Sequence, residues 1–213
     1  MKLFLIGGTG NIGSRILAEA LSRGHDVTVL TRDPSKVKAQ PHVKAVKGDI
    51  LNSEELATQI KGQDAVVVSY SPGYDDAAPK KYEQSSDSVI NAARKAKLKR
   101  VLWVGGAASL EVKPGVQLLD TLSTLPPPLK NTLSAMRDIL YKLRKIDDLD
   151  WTFFSPAGEI APGTRTGKFR LGTEQLVVGT DGKSRISCED YAVALIDELE
   201  KPKHLKKRFT VGY

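Results

Sequence analysis

The sequence predicts a doubly wound parallel α/β fold, and three observations carry that expectation. An apolar run at residues 2–6 leads through the turn Gly7-Gly8-Thr9-Gly10-Asn11-Ile12-Gly13 into a stretch that places Ile12, Ile16, Leu17, Ala20 and Leu21 on one helical face. Short apolar segments and helix-period segments then alternate, the pattern of right-handed βαβ units around a sheet covered on both faces. With 213 residues and 40% hydrophobic content, the chain is long enough to bury a core as one domain.

In order, strands are expected at residues 2–6, 26–30, 43–47, 65–69 and 100–104, and helices at 11–23, 34–39, 53–60 and 80–96. The last helix carries Val89, Ile90, Ala93 and Ala96 on one stripe. In such sheets ligands sit at the carboxyl ends of the strands, so function is expected in the loops 7–13, 31–35, 48–52, 70–76 and 105–129. The last loop holds Pro114, Gly115 and the run Pro126-Pro127-Pro128 and reads as an irregular substrate-side loop. A helix from about residue 130 to 146 follows, then a strand at 152–155 and an irregular stretch at 157–167. Two short strands at 168–171 and 175–178 flank Gly172-Thr173 like a hairpin. Ser187 with Asp190 forms a capping box that opens a helix to Glu200, and residues 209–211 make a closing strand. The expected organisation is a single domain over 1–213, with 157–185 and 209–213 forming a small C-terminal, substrate-side part.

The 32 Lys and Arg exceed the 25 Asp and Glu, for a formal charge of +7. A phosphorylated small ligand, an anionic surface or nucleic acid would all suit that excess. Nucleic acid is the poorest fit, because aromatic residues are only 6% and no basic stretch alternates with them. The cluster Lys203, Lys206, Lys207 and Arg208 reads as a solvated turn. Cys188 is the only cysteine, which rules out an internal disulfide, and no apolar run reaches membrane-spanning length. A cytoplasmic protein without membrane partners is expected. His25, His42 and His204 are scattered, so no metal site is expected.

The glycine turn supplies the first chemistry. Missing side chains let backbone N–H groups approach a pyrophosphate, and the helix N-terminus adds positive partial charge. The end of the second strand decides which dinucleotide fits: an acidic residue favours the ribose hydroxyls of NAD, a basic one the extra phosphate of NADP. Here it reads Thr31-Arg32, with Lys36 four residues on, which favours NADP over NAD. Asp33 competes with that reading, because it could neutralise Arg32 or simply cap the next helix. Asp49, after the third strand, could bond the adenine amino group while Ile50 packs on the ring, or serve only as a turn residue.

Taken together, G-G-T-G-N-I-G, V-T-V-L-T-R-D, G-D-I, R-V-L-W-V-G-G and D-W-T-F-F-S-P-A resemble the atypical short-chain dehydrogenase/reductase superfamily. The nearest likeness is to its NmrA-like and NADPH-dependent flavin reductase (biliverdin reductase B-like) NAD(P)-binding proteins, and it extends over almost the whole chain. The resemblance implies a Rossmann fold in which Gly7, Thr9, Gly10, Asn11, Ile12 and Gly13 hold the pyrophosphate. It further implies Arg32 and Lys36 on the NADP phosphate, Asp49 and Ile50 on adenine, and Tyr70 and Ser71 beside the nicotinamide half.

Reductases of this superfamily commonly pair an acidic tyrosine with a lysine four residues on. Tyr141 and Lys145 have that spacing, but they fall near the end of their helix, away from the strand carboxyl ends. At the helix start the chain has Lys130, and four residues before it Pro126, which has no proton to give. Lys130, with Ser109, is a candidate catalytic residue, and it can still bind the cofactor ribose. Ser109 could hydrogen-bond a substrate or the nicotinamide carboxamide, or bond its own backbone. The implied activity is NADPH-dependent reduction of a flavin- or quinone-like small-molecule acceptor; the alternatives are a non-catalytic redox sensor and an epimerase-like protein. Cys188 reads as a packed small residue.

Overall fold

A computed structural model describes residues 1–213. Its elements, in chain order, are β1 (Lys2–Ile6), α1 (Asn11–Ser22), β2 (Asp26–Thr31), β3 (Val43–Lys47), α2 (Ser53–Gln59), β4 (Ala65–Val68), α3 (Ala78–Ala96) and β5 (Arg100–Val104). There follow β6 (Glu111–Lys113), β7 (Val116–Gln117), α4 (Leu118–Thr121), α5 (Pro127–Leu143), β8 (Asp150–Ser155), β9 (Glu159–Ala161), β10 (Arg170–Gly172), β11 (Arg185–Ser187), α6 (Cys188–Glu200) and β12 (Lys207–Gly212). Eight strands form the central sheet in the order β10-β12-β8-β5-β4-β1-β2-β3. All neighbours are parallel except β10, which runs antiparallel to β12. This is the expected doubly wound Rossmann architecture.

Period-two alternation builds two cores, one on each face. Phe4, Ile6, Val66, Val68, Val101 and Trp103 face α2, α3 and α5, while Leu3, Leu5, Val27, Val29, Leu102 and Phe154 face α1 and α6. Strand order reverses between β1 and β4, since the chain proceeds from β1 to β2 and β3 on one side and resumes with β4 on the other. The crevice beyond those two carboxyl ends is where a ligand belongs.

Several local expectations are corrected. Helix α5 starts at Pro127, earlier than residue 130, because prolines lack only an N–H that the first turn does not need. The stretch 105–129 is not irregular throughout: β6 and β7 pair across Pro114-Gly115, where Gly115 takes φ +76°. Residues 34–39 form only a 3₁₀ turn, Pro34–Lys36, with Val37 already extended; Pro41 biases the residue before it away from helix. The hairpin around Gly172-Thr173 does not form. β10 instead pairs with β12, and Gln175 makes a single bridge to Glu111.

Residues 209–213 lie in or beside the main sheet, as the outer part of β12. The segment after β9 is strapped across α1 and α6: Arg165 donates to Glu19 at 2.7 and 2.9 Å, Gly163 N to Glu189 at 2.8 Å, and Thr166 N and Gly167 N to Asp190 at 2.8 and 2.7 Å. Ser187 caps α6 by accepting from Asp190 N at 3.0 Å. The reciprocal half of the box is absent, because Asp190 is occupied by the strap and by the Tyr213 hydroxyl.

Candidate functional site

At the switch point, Gly7 and Gly13 each have a separate steric reason. Gly7 sits at φ +83°, and a Cβ there would lie 2.1 Å from the Ser69 carbonyl oxygen, so the turn after β1 touches the end of β4. A Cβ on Gly13 would lie 2.1 Å from the Gly7 carbonyl oxygen. Gly10 occupies the N-cap of α1 and supplies no side-chain cap, and the first turn of the helix holds no acidic residue. The first amides of α1, which have no partner within the helix, are therefore left to a ligand. Arg15 braces this turn from behind, donating to the Asn11 carbonyl at 3.2 Å and to Asn11 Oδ1 at 3.1 Å while its Nε meets Glu189 at 3.1 Å.

At the end of β2, the competition posed by Asp33 resolves. Its carboxylate accepts from Ser35 N at 3.1 Å and from Ser35 Oγ at 2.6 Å, and these bonds hold its pKa below the usual carboxylate value. Arg32 and Lys36 are exposed and take part in no ion pair. Two cations thus stand free at the rim. Asp49 is exposed and closes an Asx turn on Leu51 N at 3.0 Å, while Ile50 is 6% exposed and packs into the core with Leu30 and Leu56.

Tyr70 follows β4 and is half-buried. Burial raises its phenol pKa, Asp49 raises it further and Arg32 opposes, so the ends of β2, β3 and β4 share one rim. Ser71 beside it is exposed. Beneath Tyr70 lies a narrow cleft lined by Val68, Tyr82, Trp103, Met136 and Phe153. Gly106, just past β5, makes room for the Met136 side chain of the cleft wall, since a Cβ there would lie 2.4 Å from the Met136 sulfur.

The two remaining candidates differ in what they are free to do. Lys130 is exposed in the first turn of α5. Ser109 is 2% exposed and accepts from Arg208 Nη1 at 3.3 Å, and Arg208 in turn pairs with Glu174; this hydroxyl joins a buried brace between β12 and the 107–110 turn. Tyr141 lies on the outer side of α5 and bonds the Gln117 side chain at 2.9 Å. Cys188 is fully buried, which pushes its thiol pKa up. His25, His42 and His204 pair with three different carboxylates, Glu200, Asp26 and Glu198. No helix is long and apolar enough to cross a membrane. Two polar groups of the cleft, Tyr82 and Ser85, carry no signal in the sequence; the spacing of seven between Tyr82 and Val89 puts Tyr82 on the buried stripe of α3, but nothing local shows what its hydroxyl meets.

A glycine turn at the switch point of a doubly wound sheet, with open helix amides and free cations at the next strand, defines an NAD(P)-binding Rossmann protein. The comparisons narrow the class: the model of the NAD(P)H-binding family matches residues 7–202, and the chain belongs to that family. Protein YwnB of Bacillus subtilis, uncharacterized, is 39% identical over 99% of this chain and 98% of its own. A candidate epimerase of Bacteroides thetaiotaomicron is 42% identical with TM-score 0.91, covering 100% of this chain and 96% of its own. A candidate NADH-flavin reductase of Streptococcus pneumoniae is 34% identical with TM-score 0.85, covering 100% and 99%. The likeness to NmrA-like and flavin-reductase-like atypical short-chain dehydrogenases is thereby shown.

Proposed function

We propose that the protein is an NADPH-dependent reductase of a flavin- or quinone-like acceptor that works without a tyrosine–lysine pair. The observation that carries this reading is the combination, on one rim, of two unpaired cations, Arg32 and Lys36, with an aromatic cleft at the end of β4. Gly7, Thr9, Gly10, Asn11, Ile12 and Gly13 hold the pyrophosphate through backbone N–H groups, and Arg32 and Lys36 take the ribose phosphate. Asp49 and the edge of Ile50 meet the adenine, Tyr70 and Ser71 border the nicotinamide, and Lys130 reaches its ribose. Bound NADPH supplies a hydride, and with one proton from water the acceptor leaves fully reduced beside NADP⁺.

Pro126 stands at the N-cap of α5, so no side chain there donates a proton. An acceptor that takes its proton from solvent suits that arrangement. The pneumococcal relative is named for NADH, and the preference for NADPH rests on this chain's own Arg32 and Lys36. Ser109 is left out of the reacting set, since its hydroxyl is engaged by Arg208. A cytoplasmic site of action belongs to the same reading, because the cofactor is an intracellular metabolite; a similar Burkholderia pseudomallei protein, 44% identical, is named as a candidate exported protein, and fractionation decides the point.

The test is NADPH oxidation with FMN and with menadione, beside protection by NADPH and NADH in a thermal shift assay. Oxidation with either acceptor and stronger protection by NADPH are expected. Tight NADPH binding with no oxidation would replace the enzyme with a redox sensor.

A further inference from the structure

The hydroxyl of Tyr82 is the least explained polar group near the cleft. Tyr82 is 3% exposed on α3, and its oxygen has no hydrogen-bond partner. Burial drives its phenol pKa up to about 12; the Ser71 side chain is close enough to pull it back in part, as a hydrogen-bonding neighbour would, but stands outside hydrogen-bond geometry. Its ring meets Tyr70 edge-on, 6.3 Å between centroids at 71°. A buried hydroxyl without a partner destabilises the folded state, and a replacement by phenylalanine would remove that cost at no loss of shape. The cleft it lines has a volume of about 10 Å³, the size of one oxygen site. Ser85 also lines it, but that hydroxyl donates to the Tyr82 backbone carbonyl at 2.9 Å, and the other walls are hydrocarbon, aromatic ring and the Met136 sulfur, so a polar ligand atom entering the cleft meets the Tyr82 hydroxyl as its uncommitted buried donor.

We propose that Tyr82 is the hydrogen-bond donor for a carbonyl oxygen of the acceptor, which enters the cleft while the acceptor's ring stays outside against Tyr70. The inference rests on the reductase reading for the acceptor's class. Tyr82 keeps its own proton throughout; the bond strengthens as negative charge collects on the carbonyl oxygen during reduction, which is how a fixed donor in a dry site lowers a barrier. This gives the chain a substrate-facing donor from α3 where Pro126 has removed the one from α5.

The experiment is Tyr82→Phe in the full chain, read in three ways. The Tm is expected to hold or rise. The affinity for oxidised menadione or FMN without cofactor, followed by quenching of tryptophan emission from Trp103 in the cleft wall, is expected to fall severalfold. The kcat/KM with NADPH is expected to fall roughly tenfold or more, while the Kd for NADPH stays unchanged. A lower Tm with acceptor affinity and turnover intact would mean that the hydroxyl holds a structural water, and would overturn the proposal. Unchanged acceptor affinity and turnover would overturn it equally. If the wild type binds acceptor but oxidises no NADPH, the reductase reading fails alone, and the binding difference still decides the role of Tyr82.

Discussion

Replacing Arg32 with alanine tests the cofactor assignment most directly. Arg32 is exposed and makes no ion pair or side-chain hydrogen bond in the protein, so its removal breaks neither and should leave the Tm of the unliganded chain within about 1 °C. The ribose phosphate that separates NADPH from NADH carries close to two negative charges at neutral pH. One cation about 4 Å from one unit charge in fully screened water is worth about 1 kcal/mol, and a doubly charged, bidentate partner raises this to roughly 2 kcal/mol. The expected loss is therefore about 30-fold in NADPH affinity, with NADH affinity changed less than twofold. Titration followed by nicotinamide fluorescence at low and at physiological salt measures both. The penalty should shrink as salt rises, because the contact is solvent-exposed. Equal weakening of both nucleotides, or of neither, would refute the assignment of Arg32 to the phosphate. Lys36→Ala should act in the same direction with a smaller effect, since an ammonium offers no bidentate geometry.

Gly7→Ala forces a side chain to φ +83° and within 2.1 Å of the Ser69 carbonyl; a loss of more than about 2 kcal/mol of stability and of nucleotide protection is expected by denaturation and thermal shift. Gly13→Ala, facing the Gly7 carbonyl at the same 2.1 Å, should behave alike. Ser187→Ala removes the side-chain cap of α6 and should cost about 1 kcal/mol, or about 2–4 °C in Tm. Glu19 is 5% exposed, and hydrogen bonds from Arg165, ahead of Arg23, hold its carboxyl below its ordinary value of about 4.5. A carboxyl so depressed adds stability above that value and loses it as pH falls through the lower folded value. Glu19→Gln should thus be less stable than wild type at pH 7, by on the order of 2 kcal/mol, with the gap closing below about pH 4; a gap that stayed constant down to pH 3 would sink this reading.

What could be read from the sequence was local. The five strands from residues 2 to 104 differ from expectation by at most one residue, because each is an apolar run bounded by turn residues, and α1 and α3 follow from the spacing of their apolar faces. The glycine turn was equally legible, since its meaning depends on the strand before it and the helix after it. Elements whose conformation depends on distant partners were not. β10 pairs with β12 across the sheet edge and not with the residues that follow it, and β6 and β7 form where a loop was expected.

The same division runs through the site. The sequence by itself determined the fold, the glycine turn of Gly7 to Gly13 between β1 and α1 and the presence of Arg32 and Lys36 after β2, because all of these are written in contiguous residues. Only the tertiary structure decided what those groups are free to do. Asp33 could have met Arg32 or Ser35, and the 3₁₀ turn gave it to Ser35. Ser109 could have faced the crevice, and Arg208, 99 residues away, claimed it. Tyr82 is spaced like any core residue of α3, and its hydroxyl is without a partner because β4, β5, β8 and α5 close the cleft largely with hydrocarbon and sulfur while the one serine in the wall, Ser85, bonds a backbone carbonyl. Satisfaction of a polar group is a property of its whole surroundings, and those surroundings are assembled from parts of the chain that have no memory of one another in sequence.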